Sequence, residues 1–172
     1  MAEDSRGEDG FTVEAEREID APPAVAWRSW TDSDVLSRWW GPSGFTCPTA
    51  RMDVRVSGVS LVSMAAPDWG FPEMFSTWTY TVVDEPHRLE FTFRFADAEG
   101  AALAPGDPRV PPGVPAEVAH VITFEGLPSE RTRMRIVESG YETAEPLEMS
   151  RQGLEQSLDK LLPLFRDGEV VD

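Results

Sequence analysis

The sequence predicts an α+β domain in which a curved antiparallel sheet of roughly six to seven strands wraps around one long C-terminal helix. Three observations predict this fold class. A first strand precedes two short helical segments, about six strand-like segments then succeed one another with short turns, and one long amphipathic segment closes the chain. Because that last segment is the only one long enough to cover an apolar sheet face, we expect it to pack against the sheet.

The length of 172 residues suits a single domain, which we place at residues 11–168. Residues 1–10 are acidic and polar, so we expect a disordered tail there rather than a signal peptide, which would begin basic and continue apolar. Cys47 is the only cysteine, which excludes an intramolecular disulfide, and no apolar run approaches the roughly 20 residues that span a bilayer. These features predict a cytoplasmic protein.

The formal net charge of −16 limits the partners of the chain. A surface this acidic repels polyphosphate, so neither nucleic acid nor an anionic membrane is an expected partner. Only one of the 15 basic residues, Lys160, is a lysine, a composition that fits either a GC-rich genome or a high-salt cytoplasm. Both a monomer and a homodimer are compatible with the sequence.

The first strand is predicted over residues 11–19, where apolar residues alternate with polar ones. Asp20 and the prolines after it end this strand and begin a short helix over residues 24–30, with Asp20 as the candidate cap. Thr31 or Asp32 is expected to cap a second short helix by accepting a hydrogen bond from a first-turn N–H.

The segment RWWGPSGF at residues 38–45 predicts a sharp corner between the second helix and the next strand. Its glycines and proline favour a turn, because glycine allows φ > 0 and proline fixes φ near about −65°. Trp39 and Trp40 therefore lie at the end of the helix, and Phe45 opens the strand. Two interpretations stay open: the tryptophans plug the end of the core, or they wall the mouth of a hydrophobic cavity.

The strand-like segments after the corner alternate between apolar and polar residues. The alternation is clearest around Phe91 and Phe93, and it predicts a sheet with one aromatic face. A loop after the second segment exposes Trp69 and Phe71, and residues 97–115 form a long loop that is either a lid or a mobile segment. The predicted strands are residues 45–56, 59–66, 74–83, 89–95, 116–125 and 131–138.

A long amphipathic helix is predicted over residues 143–165, and Pro163 is expected to end or kink it. Ser150 takes the place of one residue of the apolar stripe, and Gly153 lies in the same inner half of the helix. With such small residues there, a single helix is not expected to fill the space over so wide a sheet. The stripe consists of Leu147, Leu154, Leu158, Leu161 and Phe165.

Three stretches resemble the AHSA1-like (activator of Hsp90 ATPase homologue) family: RWWGPSGF, the hairpin with Arg55 and Gly58, and the closing segment SRQGLEQSLDKL. The resemblance covers residues 11–165 and implies the helix-grip fold of the START/Bet v 1-like (SRPBCC) superfamily. That superfamily includes lipid carriers, hormone receptors, aromatase/cyclases and co-chaperones, so the fold alone selects no function. The chain departs from the family pattern at Val56-Ser57-Gly58, where a Gly-Gly pair is usual, and in its long loop at residues 97–115.

His120 and Glu138 form the sharpest candidate for chemistry, because strand parity puts both on the inner, mostly apolar face of neighbouring strands. A buried imidazole beside a carboxylate serves as a general base, as a hydrogen-bonding handle for a ligand, or only as a satisfied buried pair. The sequence leaves these alternatives open. It shows no metal-ligand spacing, phosphate-binding glycine loop or nucleophile elbow, so no metal or other cofactor is expected.

The main functional expectation is a carrier or sensor that binds a small hydrophobic or aromatic molecule between sheet and helix, without bond chemistry. One alternative is a co-chaperone-like module that binds a protein partner, and another is a cyclase- or hydrolase-like enzyme that uses His120 and Glu138. The residues expected to line the ligand cavity are Trp39, Trp40, Phe45, Met64, Trp69, Phe71, Met74, Trp78, Tyr80, Phe91, Phe93, His120, Ile122, Met134, Ser150 and Leu154.

Overall fold

The computed structural model describes Arg6–Gly7 and residues 10–170. The acidic tail expected at residues 1–10 therefore lies largely outside the described residues, although Arg6–Gly7 pairs with the start of the next strand. The described chain has the α+β architecture that the sequence predicts, with one antiparallel sheet and a long C-terminal helix. Within this part of the chain, no helix combines the length and apolar character needed to cross a membrane.

The sheet contains eight strands in the order β1-β2-β8-β7-β6-β5-β4-β3, and every neighbouring pair is antiparallel. Two of the strands are only two residues long, so the long strands agree with the predicted number. The strands are β1 (Arg6–Gly7), β2 (Gly10–Ile19), β3 (Ala50–Arg51), β4 (Val59–Ala66), β5 (Phe71–Asp84), β6 (Arg88–Ala96), β7 (Glu117–Leu127) and β8 (Arg131–Tyr141).

One face of the sheet is apolar because alternate residues of each long strand point to the same side. In β6, Leu89, Phe91 and Phe93 are buried. In β8, Met134 and Ile136 share that parity and are fully buried. The helix that closes the chain packs over this inner face.

Three single-turn helices connect β2 to the corner at residues 38–45, where the sequence predicts two longer ones. They are α1 (Pro23–Ala26), α2 (Arg28–Thr31) and α3 (Ser33–Leu36), so the predicted first helix is interrupted at Trp27 and the second ends before Trp39. Asp32 caps α3, because its Oδ1 accepts hydrogen bonds from two first-turn N–H groups at 3.0 and 3.2 Å. Asp20 does not cap α1, whose N-cap residue is Pro22.

The segment predicted as a strand at residues 45–56 is mostly irregular. Only β3 and a bridge between Thr46 and Ala65 are strand-like there. The backbone N–H of Thr49 donates to the Ser63 hydroxyl at 3.0 Å, and that of Asp53 donates to the Ser60 hydroxyl at 3.0 Å. Serine side chains of β4 thus replace the backbone partners that a regular ladder would supply.

The long helix α4 (Glu145–Arg166) agrees closely with its predicted range. It does not end at Pro163 but continues to Arg166, and the Asp167 N–H donates to the Pro163 carbonyl at 2.9 Å. Its buried residues are Pro146, Leu147, Leu154, Ser157, Leu158, Leu161, Leu164 and Phe165.

Aromatic rings fill one end of the space between sheet and helices. Trp30 is fully buried, and its ring centroid lies 5.0 Å from that of Trp39 and 5.9 Å from those of Trp40 and Trp78. The Trp30 indole N–H lies 3.2 Å from the sulfur of Met134. Trp39 is therefore a core residue, which supports the first of the two interpretations of the tryptophan pair, whereas Trp40 lies at the edge of the filled region.

Candidate functional site

A cavity of about 270 Å³ lies between α4, the inner face of the sheet and the corner at residues 38–45. A Cβ built on Gly153 would meet no atom within 4 Å, so the helix leaves open space at this position. Met149 also lines the cavity and is 69% exposed, which places the opening beside this residue. The helix side of the lining consists of Met149, Ser150, Gly153, Leu154 and Ser157.

About half of the side chains that the sequence predicts in the cavity wall do line the cavity. The predicted residues in its lining are Trp40, Phe45, Met64, Met74, Phe93, His120, Ser150 and Leu154, together with Glu138. Residues in the lining that the sequence analysis did not assign to it are Gly41, Pro42, Phe95, Pro111, Val114, Val118, Tyr141, Met149, Gly153 and Ser157. The loop at residues 97–115 thus contributes part of the wall.

The remaining predicted residues do not line the cavity. Trp39, Trp78, Tyr80, Phe91, Ile122 and Met134 lie in the packed core. Those that lie on strands do point to the inner face of the sheet, as alternation predicts. Neighbouring side chains, however, fill the space between them and the helices. Trp78 and Phe91, for example, stack with ring centroids 4.5 Å apart.

Trp69 and Phe71 are 63% and 47% exposed and also lie outside the lining. Trp69 closes a short 3₁₀ turn, Pro67–Trp69, and Phe71 begins β5. Their ring centroids lie 6.5 and 5.5 Å from that of Phe45, whose side chain does line the cavity. Trp69 also covers Gly44, where an added Cβ would come within 2.1 Å of the indole ring.

Helix α4 holds the corner in place through two polar side chains. Gln156 accepts a hydrogen bond from the Ser43 N–H at 3.1 Å, and the ammonium group of Lys160 donates to the Phe45 carbonyl at 3.1 Å. Burial lowers the pKa of Lys160, because it disfavours the charged ammonium. Since Phe45 belongs to the cavity wall, these contacts tie that wall to the helix opposite the sheet.

The polar end of the cavity is built from His120, Glu138 and Tyr141, all less than a tenth exposed. His120 Nε2 lies 3.1 Å from Glu138 Oε1, and His120 Nδ1 lies 3.2 Å from the Val118 carbonyl. The Tyr141 hydroxyl donates to Glu138 Oε2 at 3.3 Å. His120 and Glu138 face each other directly in the register of β7 and β8, as strand parity predicts.

The backbone contact of His120 fixes the role of one ring nitrogen. A carbonyl oxygen can only accept, so Nδ1 carries the hydrogen of the contact with Val118, and Nε2 faces the Glu138 carboxyl group across 3.1 Å. The imidazole is also stacked on Phe91 and Phe93, with ring centroids 4.7 and 5.6 Å away.

Tyr141 belongs to this network, although alternation along β8 predicts that its side chain points away from the inner face of the sheet. Gly140 adopts φ +113° and breaks the register, since Thr12 faces Ser139 whereas Phe11 faces Tyr141. This β-bulge turns Tyr141 inward. Burial and the nearby Glu138 raise the pKa of the Tyr141 hydroxyl, and a hydrogen bond from Ser150 opposes the rise. A glycine inside a strand pattern is the sequence signal that could have revealed the bulge.

The arrangement suits binding better than proton transfer. A histidine acts as a general base through an unprotonated nitrogen that faces the substrate. Here one ring nitrogen is engaged by the Val118 carbonyl and the other by Glu138. Across the described residues, no three His, Cys, Asp or Glu side chains come together as a metal site would need.

A second depression of about 290 Å³ lies at the surface near α2. Its lining includes Glu85 and the ion pair between Arg28 and Asp32, at 3.2 Å. Charged groups of this kind keep their water and do not favour an apolar ligand. We therefore regard the cavity beneath α4 as the candidate site.

Known proteins support the fold and the family. The sequence matches the activator of Hsp90 ATPase homologue 1-like proteins over residues 20–166. A solved protein from Chromobacterium violaceum is 27% identical, with a TM-score of 0.73 over 90% of this chain and 96% of that chain. The AHSA1 protein from Silicibacter pomeroyi is 19% identical, with a TM-score of 0.72 over 91% of this chain and 99% of that one.

A third solved structure, the AHSA1-like protein from Aeromonas hydrophila, is 21% identical, with a TM-score of 0.68 over 92% of this chain and 94% of that chain. At such identities the last two structures support the fold alone. A comparison with curated proteins gives no significant match. Since the family match spans most of the chain, and the sheet and terminal helix form the helix-grip arrangement, this protein belongs to the activator of Hsp90 ATPase homologue 1-like family.

Proposed function

We propose that this protein binds a small hydrophobic or aromatic molecule in the cavity beneath α4, as a carrier or sensor. The observation that carries the proposal is the open space at Gly153 and Ser150, where the terminal helix has no large side chain to fill the interior. Apolar lining with a few convergent polar groups is typical of ligand sites.

The size of the cavity indicates the size of the ligand. An apolar cavity of about 150 Å³ binds benzene, and ligand pockets generally run from about 300 to 1,000 Å³. The cavity of about 270 Å³ therefore suits a ligand of roughly ten to twelve non-hydrogen atoms, by comparison with benzene. Naphthalene has this size and serves as a probe without a polar group.

The proposal predicts that filling the space at Gly153 abolishes binding. Gly153→Leu inserts an aliphatic side chain into the open region, whereas Gly153→Ala adds one methyl group. Both substitutions raise helix propensity by about 1 kcal/mol, so they are matched in their effect on the helix. Equilibrium dialysis against naphthalene should show one bound equivalent for the native chain and for Gly153→Ala, and at least about tenfold weaker binding for Gly153→Leu.

Two outcomes would contradict the proposal. One is the absence of naphthalene binding to the folded native chain at concentrations near its solubility limit. The other is equal binding by the native chain and by a folded Gly153→Leu variant, which would place the bound molecule elsewhere.

A second candidate function is favoured by the exposed rings of Trp69 and Phe71, since aromatic side chains at a surface are typical of protein interfaces. This is a protein-binding role like the co-chaperone activity that gives the family its name. Adding the chain to a purified Hsp90 ATPase should then change the turnover rate, and the Trp69→Ala/Phe71→Ala variant should not. Unchanged turnover with the native chain would rule this role out for that partner.

A further inference from the structure

Most hydrogen-bond donors at the polar end of the cavity are engaged within the protein. His120 donates its Nδ1–H to the Val118 carbonyl and faces Glu138 with Nε2, and the Tyr141 hydroxyl donates to the same carboxyl group. Ser157 donates to the Gly153 carbonyl at 2.8 Å. The Ser150 side chain opposes the rise in the pKa of Tyr141, which indicates that its hydroxyl lies near the Tyr141 oxygen.

One further donor belongs to a lining residue, but it does not face the open space. The indole N–H of Trp40 is the one buried side-chain polar atom without a hydrogen-bond partner among the described residues. Because this atom is itself enclosed within the wall, a ligand in the cavity does not meet it.

Acceptors, in contrast, are left over. A carboxyl group in this setting offers about four lone-pair positions, and the contacts with His120 and Tyr141 use two of them. The Glu138 side chain also keeps 10% of its surface exposed, against 4% for His120. A ligand that reaches this end of the cavity therefore meets lone pairs on Glu138.

The electrostatics of the same end disfavour an anionic ligand. The described residues that line the cavity include no lysine or arginine. A ligand carboxylate would face the lone pairs of Glu138 without a cation. Burying such an unpaired charge is costly.

We propose that the natural ligand is an aromatic or aliphatic molecule that carries a hydroxyl group, of the phenol or alcohol class, and donates this hydroxyl to Glu138. The inference rests on the proposed function of the cavity and adds the chemistry of the ligand's polar group. It distinguishes hydroxyl compounds from ketones and ethers, which only accept, and from fatty and aromatic acids, which are anions at neutral pH.

A ligand series on one ring system tests the proposal. The probes are naphthalene, 2-naphthol, 2-methoxynaphthalene and 2-naphthoate, titrated into the native chain by calorimetry at neutral pH and constant ionic strength. We expect 2-naphthol to bind about tenfold more tightly than the methyl ether, which lacks the donor, and 2-naphthoate to bind more weakly than naphthalene.

Variants then locate the preference. The triple substitution His120→Leu/Glu138→Met/Tyr141→Phe replaces the whole network by apolar groups of similar size, a change that buried networks often tolerate. In this variant the tenfold ratio of 2-naphthol to the methyl ether should fall to about one. Asp159→Asn removes an exposed carboxylate of α4 outside the cavity and should leave the ratio unchanged.

The failures of the two proposals are distinguishable. If no probe binds, including naphthalene, the cavity is not a ligand site and the proposed function fails. If naphthalene binds but 2-naphthol is no tighter than its methyl ether, or 2-naphthoate is the tightest probe, the hydroxyl inference alone is overturned. A tenfold ratio that persists in the folded triple variant also overturns it, and if that variant does not fold, the series on the native chain decides.

Discussion

The thiol of Cys47 is buried, and its sulfur lies 3.4 Å from the Thr49 carbonyl oxygen, to which it donates. Burial raises the pKa of Cys47 to about 11, because it disfavours the charged thiolate. Nearby Lys160 opposes this rise, and Glu73 adds to it. Cys47 is the only cysteine of the sequence, and its environment is that of an inert structural cysteine.

The raised pKa predicts slow alkylation of Cys47. At pH 8 a thiol with a pKa of about 11 is roughly 0.1% thiolate, whereas an ordinary thiol with a pKa of about 8.5 is roughly a quarter thiolate. Iodoacetamide should therefore label the folded chain at least about 100-fold more slowly at pH 8 than the urea-unfolded chain, with a rate that rises toward pH 11. Equal rates for folded and unfolded chains at pH 8 would contradict this.

The raised pKa of Cys47 also makes the free energy of unfolding depend on pH. Because the pKa of Cys47 is higher in the folded chain than in the unfolded one, the thiol's contribution to folding is complete below about pH 8.5. That contribution is lost as the pH rises through about 11. Burial raises the pKa of Tyr80 to about 12, so this phenol acts in the same direction at slightly higher pH.

At the residue scale, period-two alternation was sufficient to predict the pairing of His120 with Glu138. Neighbouring antiparallel strands with correct inner parity place opposite residues in contact, and the separation of 3.1 Å confirms the predicted proximity. Tyr141 was not predicted, because alternation holds only while a strand has no bulge. One glycine with positive φ was enough to reverse its direction.

At the element scale, the bulge at Gly140 ends β8 and completes the polar network. Gly140 is skipped in the pairing with β2, and a Cβ on it would lie 3.0 Å from the Glu117 carbonyl oxygen. The closeness of the Glu117 backbone and the positive φ of Gly140 thus both favour glycine at this position. Without the bulge, the Tyr141 side chain would leave the cavity wall.

Gly140→Ala is therefore expected to cost about 2–3 kcal/mol of unfolding free energy, from the strained φ and from the contact with backbone. Gly106→Ala is the matched control, because Gly106 also has a positive φ, +84°, but a Cβ there would meet nothing within 4 Å. We expect this control to cost only about 1 kcal/mol. Urea unfolding of both variants measures the difference, and equal losses would show that the crowding at Glu117 has no consequence.

Element prediction succeeded where local pattern dominates and failed where side chains replace backbone partners. The amphipathic stripe of α4 and the alternation of β6 correspond to the structure within a few residues. The strand expected at residues 45–56 did not form as such, because hydroxyl groups of β4 accept its N–H groups. Such contacts join residues far apart in sequence and have no periodic signal.

At the scale of the whole molecule, the cavity results from an uneven filling of the space beneath α4. Trp30, Trp39 and Trp78 pack tightly at one end, while Ser150 and Gly153 face the other. The sequence indicated that one helix is too small for so aromatic a sheet. It could not indicate which rings fill the excess space, because that depends on how the short helices α1 to α3 insert Trp30 over the sheet.

The distribution of charge separates the surface from the cavity. The chain has a formal net charge of −16, yet Glu138 is the one acidic side chain among the described residues that line the cavity, and it lies 3.1 Å from His120. The outer face of β8 instead carries arginines paired with glutamates of β2, such as Arg135 with Glu14 at 3.1 Å. The acidic side chains of the described residues therefore lie mainly outside the cavity.

The central claim, that an apolar molecule occupies the space beneath α4, is tested most directly by methionine methyl NMR on the native chain titrated with naphthalene. Met64, Met74 and Met149 line the cavity, whereas Met52 and Met134 do not. Because an aromatic ligand shifts the resonances of the methyl groups it touches, we expect saturable shifts at Met64, Met74 and Met149 and unchanged signals from Met52 and Met134. Shifts centred on Met134, or no shift at any cavity methionine under saturating naphthalene, would contradict the account.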